Sequence, residues 1–292
     1  YGEMITANAG YFGWGKGYNG YTWNYINNSA LSANTVLVNY DYGNVKDPSN
    51  TNDHQSKSGN GIIQGFTSDF LDYARGDSGN AIANASHERS LIMIKPQDDV
   101  PGYFAILDDV RASNENDVVT TVHRPISNKY TTVSENTEYN WLIKRKTAKG
   151  VNLSVFLATE PTGVEFIDGI IGTQSLTTSI PIKSLLSKYS VGENLHKKIG
   201  TLLLPSDATH RKPKAQRFSS EGLHGAMINF ENGKTDYLII NEIGKINEYV
   251  ISELGQSLSF DAENVLLRVN DSRLMWYFAE NASQISIEGM GV

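Results

Sequence analysis

Short apolar and aromatic runs recur along the whole chain, separated by clusters of Gly, Asn, Asp and Ser. Runs of four to eight residues rich in Val, Ile, Tyr, Phe and Thr, bounded by turn formers, mark successive antiparallel strands. The pattern places strands at GIIQGF (61 to 66), RSLIMIK (89 to 95), YFAILDDV (103 to 110), DVVTTVH (117 to 123), YNWLIKR (139 to 145) and VNLSVFLA (151 to 158). It continues through GAMINF (225 to 230), DYLIIN (236 to 241), NVLLRV (264 to 269) and LMWYFA (274 to 279). SANTVLVNYDYGN (32 to 44) begins as a strand and ends in residues that cannot comfortably continue one.

Helical spacing is scarce. In IPIKSLLSKY (180 to 189), Pro181 suits a first turn and Ile182, Leu185 and Leu186 share a stripe, so a short helix is expected there. Roughly a dozen or more strands with one or two short helices predict an all-β chain. The expected fold is one large antiparallel β-sandwich, supersandwich-like, two stacked sheets forming a single domain over residues 1–292. No fixed-period repeat supports a propeller or solenoid. The polar, turn-rich stretch 45 to 60 reads as a surface loop.

Composition narrows the partners. Hydrophobic residues make up 39% of the 292, enough for a sizeable core. The formal net charge of -7 repels nucleic acid and anionic membranes, and neither is an expected partner. The longest apolar runs fall far short of the roughly 20 residues that cross a bilayer. With no cysteine, disulfides and thiolate metal sites are excluded and the redox compartment stays open. Tyr1 follows no leader pattern and no initiator methionine, so the chain reads as a processed or excised segment with material expected upstream.

The six histidines (His54, His87, His123, His196, His210 and His224) form no HxH or HxxxH pair. No metal is expected from them. His123, ending a strand, reads as a rim or hydrogen-bonded structural group. Asp47, Asn50, Asn52 and Asp53 have calcium-loop composition without the spacing or the closing glutamate, and read as a solvated turn. Asp108 and Asp109 read as a strand end whose alternation sends the two carboxylates to opposite sides, which a general acid/base pair cannot use.

Two segments suggest binding. HRKPKAQR (210 to 217) is the one concentrated basic stretch, and Arg211, Lys212, Lys214 and Arg217 match the carboxylate or sulfate groups of an anionic polymer; a solvated loop is the plain alternative. GYFGWGKGYNGYTWNY (10 to 25) holds seven aromatic residues and five glycines. Aromatic faces with polar tips suit sugar rings, and glycine allows close backbone approach, so Tyr11, Trp14, Tyr18 and Trp23 are candidate substrate contacts; a packed loop is the alternative.

YGEMITANAGYF followed by SANTVLVN, RSLIMIK and YFAILDDV resembles the β-sandwich portion of the heparinase II/III-like polysaccharide lyases over at least residues 1 to 110. In that family a helical toroid comes first, and an HxHxD-type segment leads into a YGE stretch, an HNTV strand, and then "R…L" and "YF…D" strands. The resemblance implies an acidic-polysaccharide substrate, β-elimination, and a periplasmic or secreted location. It also implies that Tyr1 begins after the HxHxD segment, so the assisting histidine and the tyrosine base and neutralising residues of the toroid belong to a missing N-terminal helical domain. Asn8 stands where metal-binding members carry aspartate, and Ala33 where they carry the histidine of HNT, so the zinc site and any other cofactor are expected to be absent.

The leading expectation is therefore the β-sandwich of a lyase that supplies one wall of a saccharide cleft and is inactive by itself. A carbohydrate-binding module without chemistry, or a structural sandwich bracing a neighbour, are the alternatives.

Overall fold

The computed structural model describes residues 5–6, 30–39, 59–82, 84–97, 100–134, 137–143, 150–172, 179–244, 247–251 and 256–288. Its described residues are almost entirely strand, with one 3-10 turn at Ala30–Ser32. Strands β1 (Val36–Val38), β2 (Gly61–Thr67), β3 (Leu71–Asp77), β4 (Ala85–Ile94), β5 (Tyr103–Ala112), β6 (Val118–His123) and β7 (Tyr130–Ser134) come first. Next are β8 (Glu138–Ile143), β9 (Val151–Leu157), β10 (Gly163–Gly172), β11 (Ser179–Ser190), β12 (His196–Ser206) and β13 (Lys214–Ser220). The last are β14 (Leu223–Asn229), β15 (Thr235–Asn241), β16 (Asn247–Ile251), β17 (Gln256–Phe260), β18 (Asn264–Asn270), β19 (Arg273–Glu280) and β20 (Ile285–Ile287).

These strands form four antiparallel sheets, a deeper sandwich than a stacked pair. The central eight-stranded sheet has the order β2-β3-β4-β5-β12-β9-β8-β7. One of its faces packs on the five-stranded sheet β13-β14-β15-β18-β19, with Tyr73, Ile92, Tyr103, Phe156 and Leu202 meeting Ile228, Leu238, Leu266 and Phe278. Its other face meets the four-stranded sheet β1-β6-β11-β10, where Trp141, Leu153 and Val155 pack on Leu185, Val164 and Phe166. A three-stranded sheet, β16-β17-β20, covers the far side of the five-stranded one through Ile251, Leu258 and Phe260.

Central strands buried on both faces lose simple polar alternation. In β9, Leu153, Val155 and Leu157 face the four-stranded sheet while Phe156 faces the five-stranded one. The same cause corrects the helix expected at 180–189, which is strand β11. Leu185 and Leu186 are both fully buried because they point to opposite faces, which mimics a helical stripe. Pro181 is tolerated because β11 pairs with β6 only from Leu185 onward, so no ladder donor is missing on that side. Asp108 and Asp109 are corrected too: β5 runs on to Ala112, so they lie inside a strand. Gly225 permits the close pairing of β14 and β15, since a Cβ there would sit 1.9 Å from the Leu238 carbonyl oxygen.

Candidate functional site

The register of β4 against β5 sets Arg89 opposite Asp108 and His87 opposite Val110. Alternation then sends His87, Arg89, Asp108, Phe104 and Ile106 to the face that meets the four-stranded sheet. Asp108 is buried there. Its Oδ1 accepts from Arg89 Nε at 2.6 Å and lies 2.6 Å from His87 Nε2, and its Oδ2 accepts from Arg89 Nη2 at 3.0 Å. Burial alone would raise this carboxyl, but the Arg89 charge and the His87 hydrogen bond outweigh it and hold the group well below the usual carboxylate range.

Arg89 also reaches across the layers. Its Nη1 donates to the Asn34 carbonyl at 2.6 Å. The Asn34 side-chain oxygen in turn accepts the Arg124 backbone N–H at 2.7 Å, and the Arg124 guanidinium donates to the Leu31 and Ile170 carbonyls. Two arginines thus fasten the segment leading into β1 between two sheets. Beneath it His123 is buried, 3.4 Å from Thr201 Oγ1. Burial, together with the charge of Arg89, pushes its imidazole down to about 4 against the opposing pull of Asp108, so His123 is neutral at pH 7. It is a structural group, as its place at the end of a strand suggested.

Beside this junction, among the described residues, the four-stranded sheet leaves part of the central sheet uncovered. A largely apolar cleft of about 460 Å³ opens there, lined by Ile5, Asn34, Arg89, Leu91, Phe104 and Leu203 among others. Ile5 is fixed by the Ile126 N–H, which donates to its carbonyl at 3.0 Å. Among the described residues the cleft offers a wall with Arg89 as its cation and no convergent acid and base.

The candidate aromatics Tyr11, Trp14, Tyr18 and Trp23, with Asn8 and the calcium-like residues at 47 to 53, lie outside the described residues. Arg211 and Lys212 do not join the cleft. They line a second hollow of about 600 Å³ between the loops that follow β4, β12 and β14. The residues beside Ala33 do not fit a zinc ion: Ala33 has no donor atom, the Asn34 side chain is engaged by Arg124, and Asp108 is held between Arg89 and His87. Among the described residues no group of three or more His, Asp or Glu could hold a metal ion.

Sequence reasoning did not single out Arg89, Asn34 or Arg124. The signal was present as His87 and Arg89 on one strand and Asp108 on the facing one, but only the register joins them.

No family model matches the sequence, and no curated protein does. Solved structures do. The chain superposes on heparan sulfate lyase HepC from Pedobacter heparinus with a TM-score of 0.58 and 12% identity, over 93% of this chain and 35% of that one. A heparinase III gives 0.55 and 12%, over 91% and 34%, and another heparinase III gives 0.53 and 9%, over 82% and 32%. The fold is that of a heparinase III-like β-sandwich. It spans about a third of the length of those lyases. Three of the four segments that suggested the resemblance meet here: SANTV supplies Asn34, RSLIMIK supplies Arg89, and YFAILDDV supplies Asp108, while YGEMITANAGYF lies outside the described residues but for Ile5 and Thr6.

Proposed function

We propose that residues 1–292 act as the β-sandwich domain of a polysaccharide lyase that cleaves an acidic, uronic-acid polysaccharide by β-elimination, with the cleft beside Asn34 and Arg89 as one wall of the substrate groove. The observation that carries the reading is the superposition on three lyases over 82–93% of this chain at TM-scores of 0.53 to 0.58. The open cleft on the motif-bearing face supports it.

The chemistry asks for three groups around one sugar. A base removes the C5 proton, a polar group neutralises the carboxylate so that C5 becomes acidic, and an acid protonates the leaving glycosidic oxygen. Of these the described residues supply at most the neutralising cation, Arg89, whose Nε and both Nη groups are already committed to Asp108 and Asn34. Its role here is to position the Asn34 segment. The proton-moving groups, on this reading, come from a helical domain N-terminal to this chain, and Tyr11, Trp14, Tyr18 and Trp23 are the aromatic residues that would stack on sugar rings. A polymer too large to cross a membrane places such an enzyme in the periplasm or outside the cell.

The test is appearance of ultraviolet-absorbing unsaturated uronate from acidic polysaccharides. The chain alone is expected to give none, and a longer protein carrying an N-terminal helical domain is expected to give a steady rise. Robust product from the isolated chain would show that the reacting groups had been misplaced, and none from the longer enzyme on any uronic-acid polymer would leave a binding module as the better reading.

A further inference from the structure

The hollow of about 600 Å³ lies on the other side of the central sheet from the cleft, and both adjoin the Ser206 end of β12. Its floor is apolar, formed by Val100, Pro101, Pro213 and Phe230, all largely buried. Prolines hold that floor without side-chain entropy to lose. Its rim is polar, with His210, Arg211, Glu231 and Asn232. The loop that presents the rim is braced by Asp207, whose Oδ1 accepts from the Thr209 and His210 backbone N–H groups at 2.8 and 2.7 Å and lies 3.0 Å from His210 Nδ1. An apolar floor under a few convergent polar groups is the usual build of a small-ligand site.

The two cations named from the sequence differ in what they are free to do. Lys212 reaches Glu138, whose side chain is only 9% exposed and also accepts the Ser154 hydroxyl. Withdrawing Lys212 would strand a carboxylate in the interior, so it positions the loop. Arg211 pairs at 2.9 Å with Glu231, and these side chains are 77% and 67% exposed. An ion pair so exposed contributes about 0–1 kcal/mol and yields readily to a better anion. The guanidinium fork matches a carboxylate or sulfate bidentately.

We infer that this hollow is a second saccharide site, separate from the cleft, which takes one acidic sugar residue with its ring over Pro101, Pro213 and Phe230 and its anion on Arg211 in exchange for Glu231. The choice of an acidic sugar rests on the lyase reading. Such a site would hold the polymer to the domain without taking part in the elimination.

Calorimetric titration of the full chain with a hexuronate-containing tetrasaccharide, against neutral cellotetraose, tests it without catalysis. Saturable binding of the acidic sugar alone is expected. Arg211→Ala should weaken it about tenfold or more, as loss of a charge-assisted contact implies. Glu231→Gln should tighten it several-fold by removing the internal competitor. Both positions are exposed, and unchanged unfolding midpoints will show that the variants are folded. Equal affinities for the parent and Arg211→Ala, weaker binding by Glu231→Gln, or equal binding of the neutral sugar would overturn the inference. Failure of the lyase reading is read elsewhere, in unsaturated-product formation by the longer protein.

Discussion

The two faces of the eight-stranded sheet are built from the same strands and end in opposite ways. Toward the five-stranded sheet, ionic groups are sealed inside: the Asp236 carboxylate accepts from Arg268 Nε and Nη2 at 2.6 and 2.7 Å and from the Tyr103 hydroxyl at 2.7 Å. A second set, buried at Arg75 and Glu280 and reaching the surface at Glu263, joins Arg75 to both glutamates, with Tyr73 donating to Glu280 at 2.5 Å. Toward the four-stranded sheet, Asp108 is equally buried, yet Arg89 continues from it to the backbone of an entering segment at the edge of an open cleft. Buried charge on the first face locks two sheets together, and on the second it presents a surface. The difference is where each covering layer stops: the five-stranded sheet covers the charged groups of the first face and leaves a hollow among the loops at its edge, while among the described residues the four-stranded sheet leaves part of the second face bare beside Arg89.

Breaking the sealed side should cost most. Arg268→Ala leaves Asp236 buried without its partner and is expected to remove about 3–5 kcal/mol from unfolding stability, read by urea denaturation at pH 7. A cost under about 1 kcal/mol would mean that water reaches Asp236 and that this face is not closed.

The open side carries a proton-linked term of about 3 kcal/mol. His123 has a folded pKa of about 4, below the roughly 6.5 of an unfolded chain. Between these values the unfolded state binds more protons, so the contribution is complete above about pH 6.5 and is lost as pH falls to about 4. Asp108, depressed further, withdraws its contribution only below about pH 4. In His123→Gln the fall in stability from pH 7 to 4.5 should be clearly smaller than in the parent. Identical pH profiles would remove His123 from this account.

Arg89→Lys keeps the charge and loses the fork to Asp108 together with the reach to Asn34. About 1–3 kcal/mol is expected, with amide exchange quickening in Val36–Val38 well before it does in β15. Uniform quickening would deny Arg89 its special hold on that segment. Leu91→Ser, at an exposed position of the cleft wall, should change stability by no more than about 0.5 kcal/mol. A larger loss would mean that Leu91 is covered and the cleft is closed.

The strand pattern was legible wherever apolar runs stood between turn formers. GIIQGF, YFAILDDV, DYLIIN and NVLLRV all became strands within a few residues of their expected bounds. Strands carrying polar or small residues, such as LDYARGD in β3 and KAQRFSS in β13, escaped notice because pairing rather than composition holds them. Residues 180–189 misled because a strand buried on both sides shows no period-two signal.

The amino-acid order alone settled the all-β class, the antiparallel pairing and the likeness to a lyase sandwich, since alternation, turn residues and motif order are local properties of the chain. Tertiary structure alone decided that Asn34, Arg89 and Asp108 meet, that Arg211 pairs with Glu231 at the surface while Lys212 is held by the buried Glu138, and where the cleft and the hollow open. Each of these depends on register and on what a neighbouring sheet covers, and a single strand carries no record of either.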